Sequence, residues 1–392
     1  MTSAALSLRT ALIFATAIAV VNGFGRFAYA LLLPVMRQDL SWDYALSGWL
    51  NTANSLGYGL GALAGMFLLS RFRPATLFVW GLVLCVVTLL LCGLTRDLSL
   101  MMLWRFVSGV GSAWVFACGG ALVAAYYSQD SGRSAAAIAV YYAGGGLGIV
   151  LSGLLLFPIL SGMWSWAAGW LVLGMAGLAF SLWPSKLAMR INQQSAAQTS
   201  SINEKLNWKH YAPILTAYFV YGAGYIVYLT FVVAWLRDMR LGVETTTAVW
   251  LVLGTASMAS GYVWRGVMSR WWPTHTFAAA CMCTALGTAL PIFANNLAGL
   301  LASAVLVGGS FFMVPGAMLA LARSTLPPSL WAKTMNLFTF IFAIGQALGP
   351  VAAGWIADHY GLNAAMATGA GMLTAAAVLS FAQKRGPGTA SA

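Results

Sequence analysis

Charge is what this sequence has least of. Asp, Glu, Lys and Arg make up 7% of its 392 residues, against about 25% in an ordinary soluble domain. So few charges cannot cover a water-facing surface on a chain this long, so lipid must be the solvent for most of it. Hydrophobic types reach 60% and the mean hydropathy is +0.82. Acids are the scarcest. All eight (Asp39, Asp43, Asp97, Asp130, Glu204, Asp238, Glu244 and Asp358) fall between apolar runs or at their ends. The three histidines, His210, His275 and His359, also fall at run ends. A membrane-embedded hydrolase or transferase needs such groups at depth, so an enzyme is not expected. Nor is a sensor without transport, for no appended soluble domain is long enough to signal.

Cysteine is sparse too. Cys85, Cys92, Cys118, Cys281 and Cys283 all sit inside apolar runs. Cys281-Met282-Cys283 has no second Cys/His pair at ligand spacing, so no disulfide, metal or other cofactor is expected. The net charge of +12 does not point to nucleic acid, because the bases are single residues between apolar spans rather than a patch.

What is present is a series of apolar runs long enough to span a bilayer, which takes about 20 residues. Twelve are expected, at 10–35, 44–69, 74–94, 98–127, 134–157, 163–183, 210–235, 246–270, 274–294, 297–322, 333–357 and 361–382. Ala28-Tyr29-Ala30 has the form of a signal-peptide cleavage site, but Arg26 interrupts the run before it and Leu31 to Leu33 continue it, so the first span is expected to stay. The polar stretch 184–208, rich in Ser, Gln and Asn, reads as a linker between an N-terminal bundle (1–183) and a C-terminal bundle (209–392).

The bases set the orientation. With both termini cytoplasmic, Arg9, Arg71, Arg73, Arg133, Lys186, Arg190, Lys205, Lys209, Arg265, Arg270, Arg323, Lys333, Lys384 and Arg385 lie on the cytoplasmic side, and only Arg37, Arg96, Arg237 and Arg240 lie outside. That asymmetry obeys the positive-inside rule, and Trp residues such as Trp42, Trp104, Trp164 and Trp271 mark the span ends as an interfacial belt. The expected location is a multi-pass protein of the cell inner membrane.

Glycines hint at internal duplication. Gly23, Gly25, Tyr29 and Asp39 recur 199 residues later as Gly222, Gly224, Tyr228 and Asp238. Gly144, Gly148 and Gly153 recur 201 later as Gly345, Gly349 and Gly354. Parallel repeats of this kind bind substrate between the halves near the midplane. The expected fold is therefore all-α, twelve transmembrane helices in two six-helix parallel repeats.

Two arginines lie well inside spans. A charge there costs at least about 2.5 kcal/mol on insertion scales, so it marks a functional hypothesis. Arg26 lies about 12 Å from the outer end of its span and Arg105 about 10 Å from the outer end of its own, at 1.5 Å per residue. The arginine fork binds carboxylate or phosphate bidentately. Each arginine could instead bond backbone carbonyls and fix packing. Asn22, Tyr29, Asn51 and Asn54 join them on the N-terminal side; Tyr225, Tyr228, Thr339 and Gln346 supply an aromatic and polar counterpart on the C-terminal side. The expectation is a cavity for a small organic anion, with Tyr225 at the repeat position of Arg26. Gly109, Gly111, Gly144, Gly148, Gly349 and Pro350 are expected to serve close packing or hinging.

The motif Arg105-Phe106-Val107-Ser108-Gly109-Val110-Gly111 resembles the R-x-x-x-G-x-G element of the major facilitator superfamily. The fifth and eleventh spans resemble its G-x-x-x-G-P-x-x-G-G element, with Ile149 in place of proline in one and Gly349-Pro350 intact in the other. Gly354-Trp355-Ile356-Ala357-Asp358 and Gly361 resemble its exit from that span. The loop at Arg71-Phe72 departs from the family, with Ser70 for Asp and Arg73 for Gly. Gly25-Arg26-Phe27-Ala28-Tyr29 with Leu33-Pro34 resembles the YbfB/YjiJ-like branch. The resemblance implies alternating access by two bundles, usually driven by protons, with helices 1, 4, 7 and 10 lining the cavity. The expected partners are thus a small-molecule substrate, the bilayer and protons, with the chain a monomer. The competing expectation is export of amphipathic, drug-like compounds.

Overall fold

The computed structural model describes residues 8–128, 131–191 and 209–384, and these are almost wholly helical. The first part of the chain forms α1 (Arg9–Ile18), a π-helical segment (Ala19–Phe27), α2 (Tyr29–Leu40), α3 (Tyr44–Leu68), α4 (Pro74–Gly93), α5 (Leu98–Tyr126), α6 (Ser131–Leu155), the short α7 (Phe157–Leu160) and α8 (Trp166–Arg190). The second part forms α9 (Ala212–Asp238), α10 (Val243–Val263), the short α11 (Arg265–Arg270), α12 (Pro273–Phe293), α13 (Leu297–Ser310), α14 (Met313–Thr325), α15 (Pro328–Tyr360) and α16 (Leu362–Ser380).

Local chemistry starts and stops these helices where the sequence changes character. Asp43, Asp97, Ser165 and Asn296 cap α3, α5, α8 and α13, each side chain accepting from a backbone N–H three residues on. Proline opens α4, α9, α12 and α15, where its missing N–H costs nothing. Gly361 ends α15 at φ +83°, a conformation glycine adopts without strain.

Among the described residues ten helices, counting α1 to α2 and α13 to α14 as single crossings, are long and apolar enough to span a membrane. α3 and α10 fall outside that set. Both line seams where the first part of the chain meets the second: α3 packs on α15 and α10 packs on α6. Buried there they carry Ser47, Asn51, Thr52, Asn54 and Ser55, and Thr246, Thr247, Ser257 and Ser260. A helix covered by protein can be polar where one facing lipid cannot.

Three expected boundaries change. α8 continues through Pro184 to Arg190, so the first residues of the polar stretch 184–208 are helix rather than linker; 192–208 lie outside the described residues. The run 246–270 is broken at Trp264, whose indole N–H donates to the Gly309 carbonyl. The run 297–322 is broken at Phe311 and Phe312, between α13 and α14.

The glycines singled out in the sequence lie at helix crossings. A Cβ on Gly109 would sit 2.0 Å from the Asn54 carbonyl, and Gly111 faces the Gly81 carbonyl. Gly144 and Gly148 lie on the carbonyls of Ala15 and Ala19, as Gly345 and Gly349 lie on those of Phe219 and Ala223. The Pro350 carbonyl abuts Gly48 across the α3–α15 seam.

Candidate functional site

The first span does not run as one α-helix. From Ala19 to Phe27 it takes π-helical pairing, and the Ala28 N–H reaches back five residues to the Gly23 carbonyl, at 2.8 Å. Such segments recur at functional sites because they turn side chains and carbonyls out of the regular ladder. Asn22, Gly23, Gly25 and Arg26 all lie on this one. α5 supplies partners for its carbonyls: Arg105 Nη1 donates to Gly25, and the Ser112 hydroxyl donates to Val21 at 3.3 Å.

Arg105 is almost fully enclosed, 1% exposed. Its Nη2 lies 3.4 Å from Asn51 Oδ1, and its guanidinium carbon lies 5.4 Å from the Tyr29 ring centre and 5.5 Å from that of Trp170. Asn54 donates to the Arg105 backbone carbonyl at 3.0 Å, tying α3 to α5. Asn51 then donates across to Thr230 Oγ1 on α9 at 2.6 Å. Aromatic faces and carbonyl dipoles are what a buried guanidinium needs in place of water.

Arg26 is 5% exposed and differently placed. Its Nη2 donates to Ser55 Oγ on α3, at 3.3 Å, and to Gln346 Oε1 on α15. Gln346 in turn donates to the Tyr225 hydroxyl on α9. Tyr58 lies under the guanidinium, 5.0 Å from ring centre to carbon. A guanidinium carries five N–H groups; two are on Nη2, which leaves those on Nε and Nη1 without a partner among the described residues. No carboxylate among the described residues pairs with either arginine, and the one ion pair there joins Arg96 to Asp39 near a helix end.

Beside Gln346 the aromatic rings lie nearly parallel. Tyr221 and Tyr225 stack at 5.0 Å and 8°, and Phe342 stacks on Tyr218 at 4.7 Å and on Tyr225 at 5.6 Å. Phe311 continues the stack beyond Tyr225 at 6.0 Å, and Phe27, next to Arg26, meets Phe311 edge-on.

The sequence-predicted residues therefore separate. Arg26, Gln346 and Tyr225 form one chain of bonds; Arg105, Asn51, Asn54 and Tyr29 form a second, with the Tyr29 hydroxyl donating to the Ser47 carbonyl at 2.8 Å. Tyr228 belongs to neither, because its hydroxyl pairs with Ser303 on α13 at 2.9 Å. Asn22 is buried and Thr339 half-buried, and neither joins these bonds. Ser55, Tyr58, Trp170 and Thr230 were missed. Ser55 and Tyr58 carry a faint signal, standing four residues beyond Asn51 and Asn54 respectively, on the same helix faces.

At one end of the bundle a second bridge crosses the seam. Asp358, near the end of α15, accepts from the backbone N–H of Tyr44 at 2.8 Å and of Ala45 at 2.9 Å, at the start of α3. Nearby, Arg37 lies over the Tyr44 ring at 4.0 Å, and Arg237 donates to the Leu160 carbonyl at 2.9 Å.

Residues 18–381 match the model of the family described as "Uncharacterised MFS-type transporter YbfB". The chain belongs to this transporter family. A relative, the uncharacterized MFS-type transporter YceJ of Bacillus subtilis (strain 168), is 26% identical over 357 residues, 89% of this chain and 83% of that protein. Among solved structures, a mutant form of the nucleoside transporter NupG superposes with a TM-score of 0.75 at 14% identity, over 97% of this chain and all of that one. A bacterial homologue of the human lysosomal transporter Spinster, in an inward-facing and unoccupied conformation, does so with a TM-score of 0.71 at 15% identity, over 97% and 98%. At these identities the likeness is one of fold. This YbfB-like chain is thus an MFS-type membrane transporter, and its family consists of transporters rather than enzymes.

Proposed function

We propose that this transporter moves small organic anions across the inner membrane by alternating access of two six-helix bundles, and that Arg26 is the residue that meets the anion. One observation carries this: a nearly buried guanidinium with unpartnered N–H groups lies where the bundles meet, bonded to Ser55 of one and Gln346 of the other. A carboxylate accepting from those N–H groups would supply the charge-assisted bonds that the protein leaves unmade. Arg105, with its aromatic and carbonyl partners, instead holds the π-helical segment that presents Arg26.

In this reading α3 and α10 cross the membrane as well, giving twelve spans. The arrangement of glycines supports parallel repeats, but with a changed register in the first span. Gly144 and Gly345 are 201 apart, whereas their partners Ala15 and Phe219 are 204 apart. At the far end of the same spans the left-handed residues Ser41 and Arg240 keep an offset of 199, so the register changes along the span that contains the π-helical segment. With both termini cytoplasmic, the end bearing Asp358 and Tyr44 faces outward, and the bridge there closes the outer gate. Proton coupling then has Asp358 as its carrier, since protonation would weaken a bond that crosses the seam; Asp39, held by Arg96 and Trp166, stays within one bundle.

Uptake of anions, cations and neutral solutes into proteoliposomes tests the proposal. Arg26→Lys keeps the charge and loses the fork, so it should transport an anion weakly; Arg26→Ala should fail. Selective transport of a cation or neutral amphipathic compound, unchanged in Arg26→Ala, would refute the anion reading and favour drug export.

A further inference from the structure

We infer that the anion carries a flat aromatic ring: the substrate class is the aromatic carboxylates. The inference rests on the anion reading of Arg26 and adds the body of the molecule to its charge. Arg26, Gln346 and Tyr225 are bonded in series, and Tyr225 is a member of a stack whose rings lie within 8° to 16° of parallel. Offset stacking is one of the two arrangements aromatic pairs favour; the other is edge to face, as Tyr58 and Phe116 meet here at 73°. Tyrosine and phenylalanine rings of α9 and α15 thus border the Gln346–Arg26 bond, and a flat ring on the anion would meet ring faces there.

The stack is not sealed. Phe342 keeps 9% of its surface, and Tyr58, on the far side of Arg26, keeps 8%. The Gln346 amide, with none, is the group that occupies Arg26. A carboxylate taking its place on the guanidinium exchanges a neutral acceptor for a charged one and frees Gln346 to swing toward Tyr225. The ring of the same molecule then lies against Phe342 and Tyr225. Because Gln346 is the link from Arg26 to α15, its displacement also removes a bond between the bundles, so that binding loosens the closed seam. An aliphatic carboxylate would make the first exchange without the second contact; a neutral aromatic would make the contact without the exchange.

The test measures thermal stabilisation of the purified full chain by benzoate, 1-naphthoate, cyclohexanecarboxylate and benzamide at millimolar concentration. Benzoate and naphthoate should stabilise it, and cyclohexanecarboxylate should bind about threefold to tenfold more weakly than benzoate, the range that stacking contributes. In Phe342→Leu, which stays apolar, the preference for benzoate over cyclohexanecarboxylate should shrink toward unity while stabilisation by both is still lost in Arg26→Ala. Equal binding of benzoate and cyclohexanecarboxylate in the wild type overturns the aromatic inference and leaves the anion reading intact. Benzamide binding as well as benzoate, with Arg26→Ala unchanged, overturns both. No response to either flat carboxylate also overturns the aromatic inference.

Discussion

Gly109→Ala tests whether the crossing of α3 and α5 is what holds the arginines in place. The added methyl would lie 2.0 Å from the Asn54 carbonyl and 2.8 Å from the Tyr58 backbone nitrogen, where real Cβ contacts stay beyond 3.0 Å. Both obstacles are main chain, so no rotamer change relieves them, and α3 and α5 must part by about 1 Å, the difference between those distances. Overpacking of this kind costs about 1–3 kcal/mol, against a gain of roughly 0.5–1 kcal/mol from removing a helical glycine. The net expectation is a loss of about 1 kcal/mol and at most about 2.5, a fall of up to a few degrees in the midpoint of thermal unfolding. Transport should fall further than stability, because the parting draws Asn54 off the Arg105 carbonyl and Asn51 off the guanidinium. Gly371→Ala on α16 is the matched control, since a Cβ there meets nothing within 4 Å; it should be neutral or slightly stabilising. The measurement is unfolding of the purified protein in detergent, followed by tryptophan fluorescence, with uptake in proteoliposomes beside it. Gly109→Ala matching Gly371→Ala in both would refute the reasoning.

If the Asp358 bridge closes the outer gate as proposed, Asp358→Asn, which keeps one acceptor oxygen but not the charge on the α3 N-terminus, should open it more often, by about 0.3–1 kcal/mol. A cysteine placed at Thr52 should then react faster with an impermeant thiol reagent added outside, and an unchanged rate would remove the bridge from the gating account. Arg105→Lys keeps the charge but loses the planar contact with Tyr29 and Trp170 and one of its two acceptors; it should lower the unfolding midpoint as well as transport, whereas a pure substrate contact would lower transport alone. For orientation, Ser195→Cys should resist an impermeant maleimide in intact cells and react once they are permeabilised; labelling in intact cells would invert the topology.

Much of the architecture is legible because a bilayer punishes ambiguity. A run of about 20 apolar residues has few alternatives to a crossing helix, and caps such as Asp43 and Asp97 mark where each begins. The arginines are legible for the same reason, as isolated charges in apolar runs. Asn51 and Asn54 are legible by spacing, and both prove to bond the Arg105 residue, one at its side chain and one at its carbonyl. Partners across the seam are not. Periodicity says that Asn51 and Ser55 share a face of α3, but only packing decides that this face meets Thr230 and Arg26. Tyr228 shows the opposite case: at one helical turn from Tyr225 it looks equivalent, yet Ser303 takes its hydroxyl.

The two arginines, so alike in sequence, divide the work because of the π-helical segment. A regular α-helix would pair the Gly25 carbonyl with a backbone N–H four residues on. Here that carbonyl takes the Arg105 guanidinium, and the Ala28 N–H goes to the Gly23 carbonyl rather than to that of Phe24. Arg105 therefore supports a backbone distortion one residue away from Arg26, and the distortion sets where the Arg26 side chain leaves the helix. Removing the Arg105 guanidinium would take this donor from the buried Gly25 carbonyl, at a cost of about 1–3 kcal/mol, and would favour a return to α-helical pairing. That return shifts every side chain after it by one position, roughly 100° about the helix axis, and carries Arg26 away from Ser55 and Gln346. In the proposed function the pair is thus a hierarchy, in which an enclosed arginine fixes the backbone so that a less satisfied one is free to meet the anion.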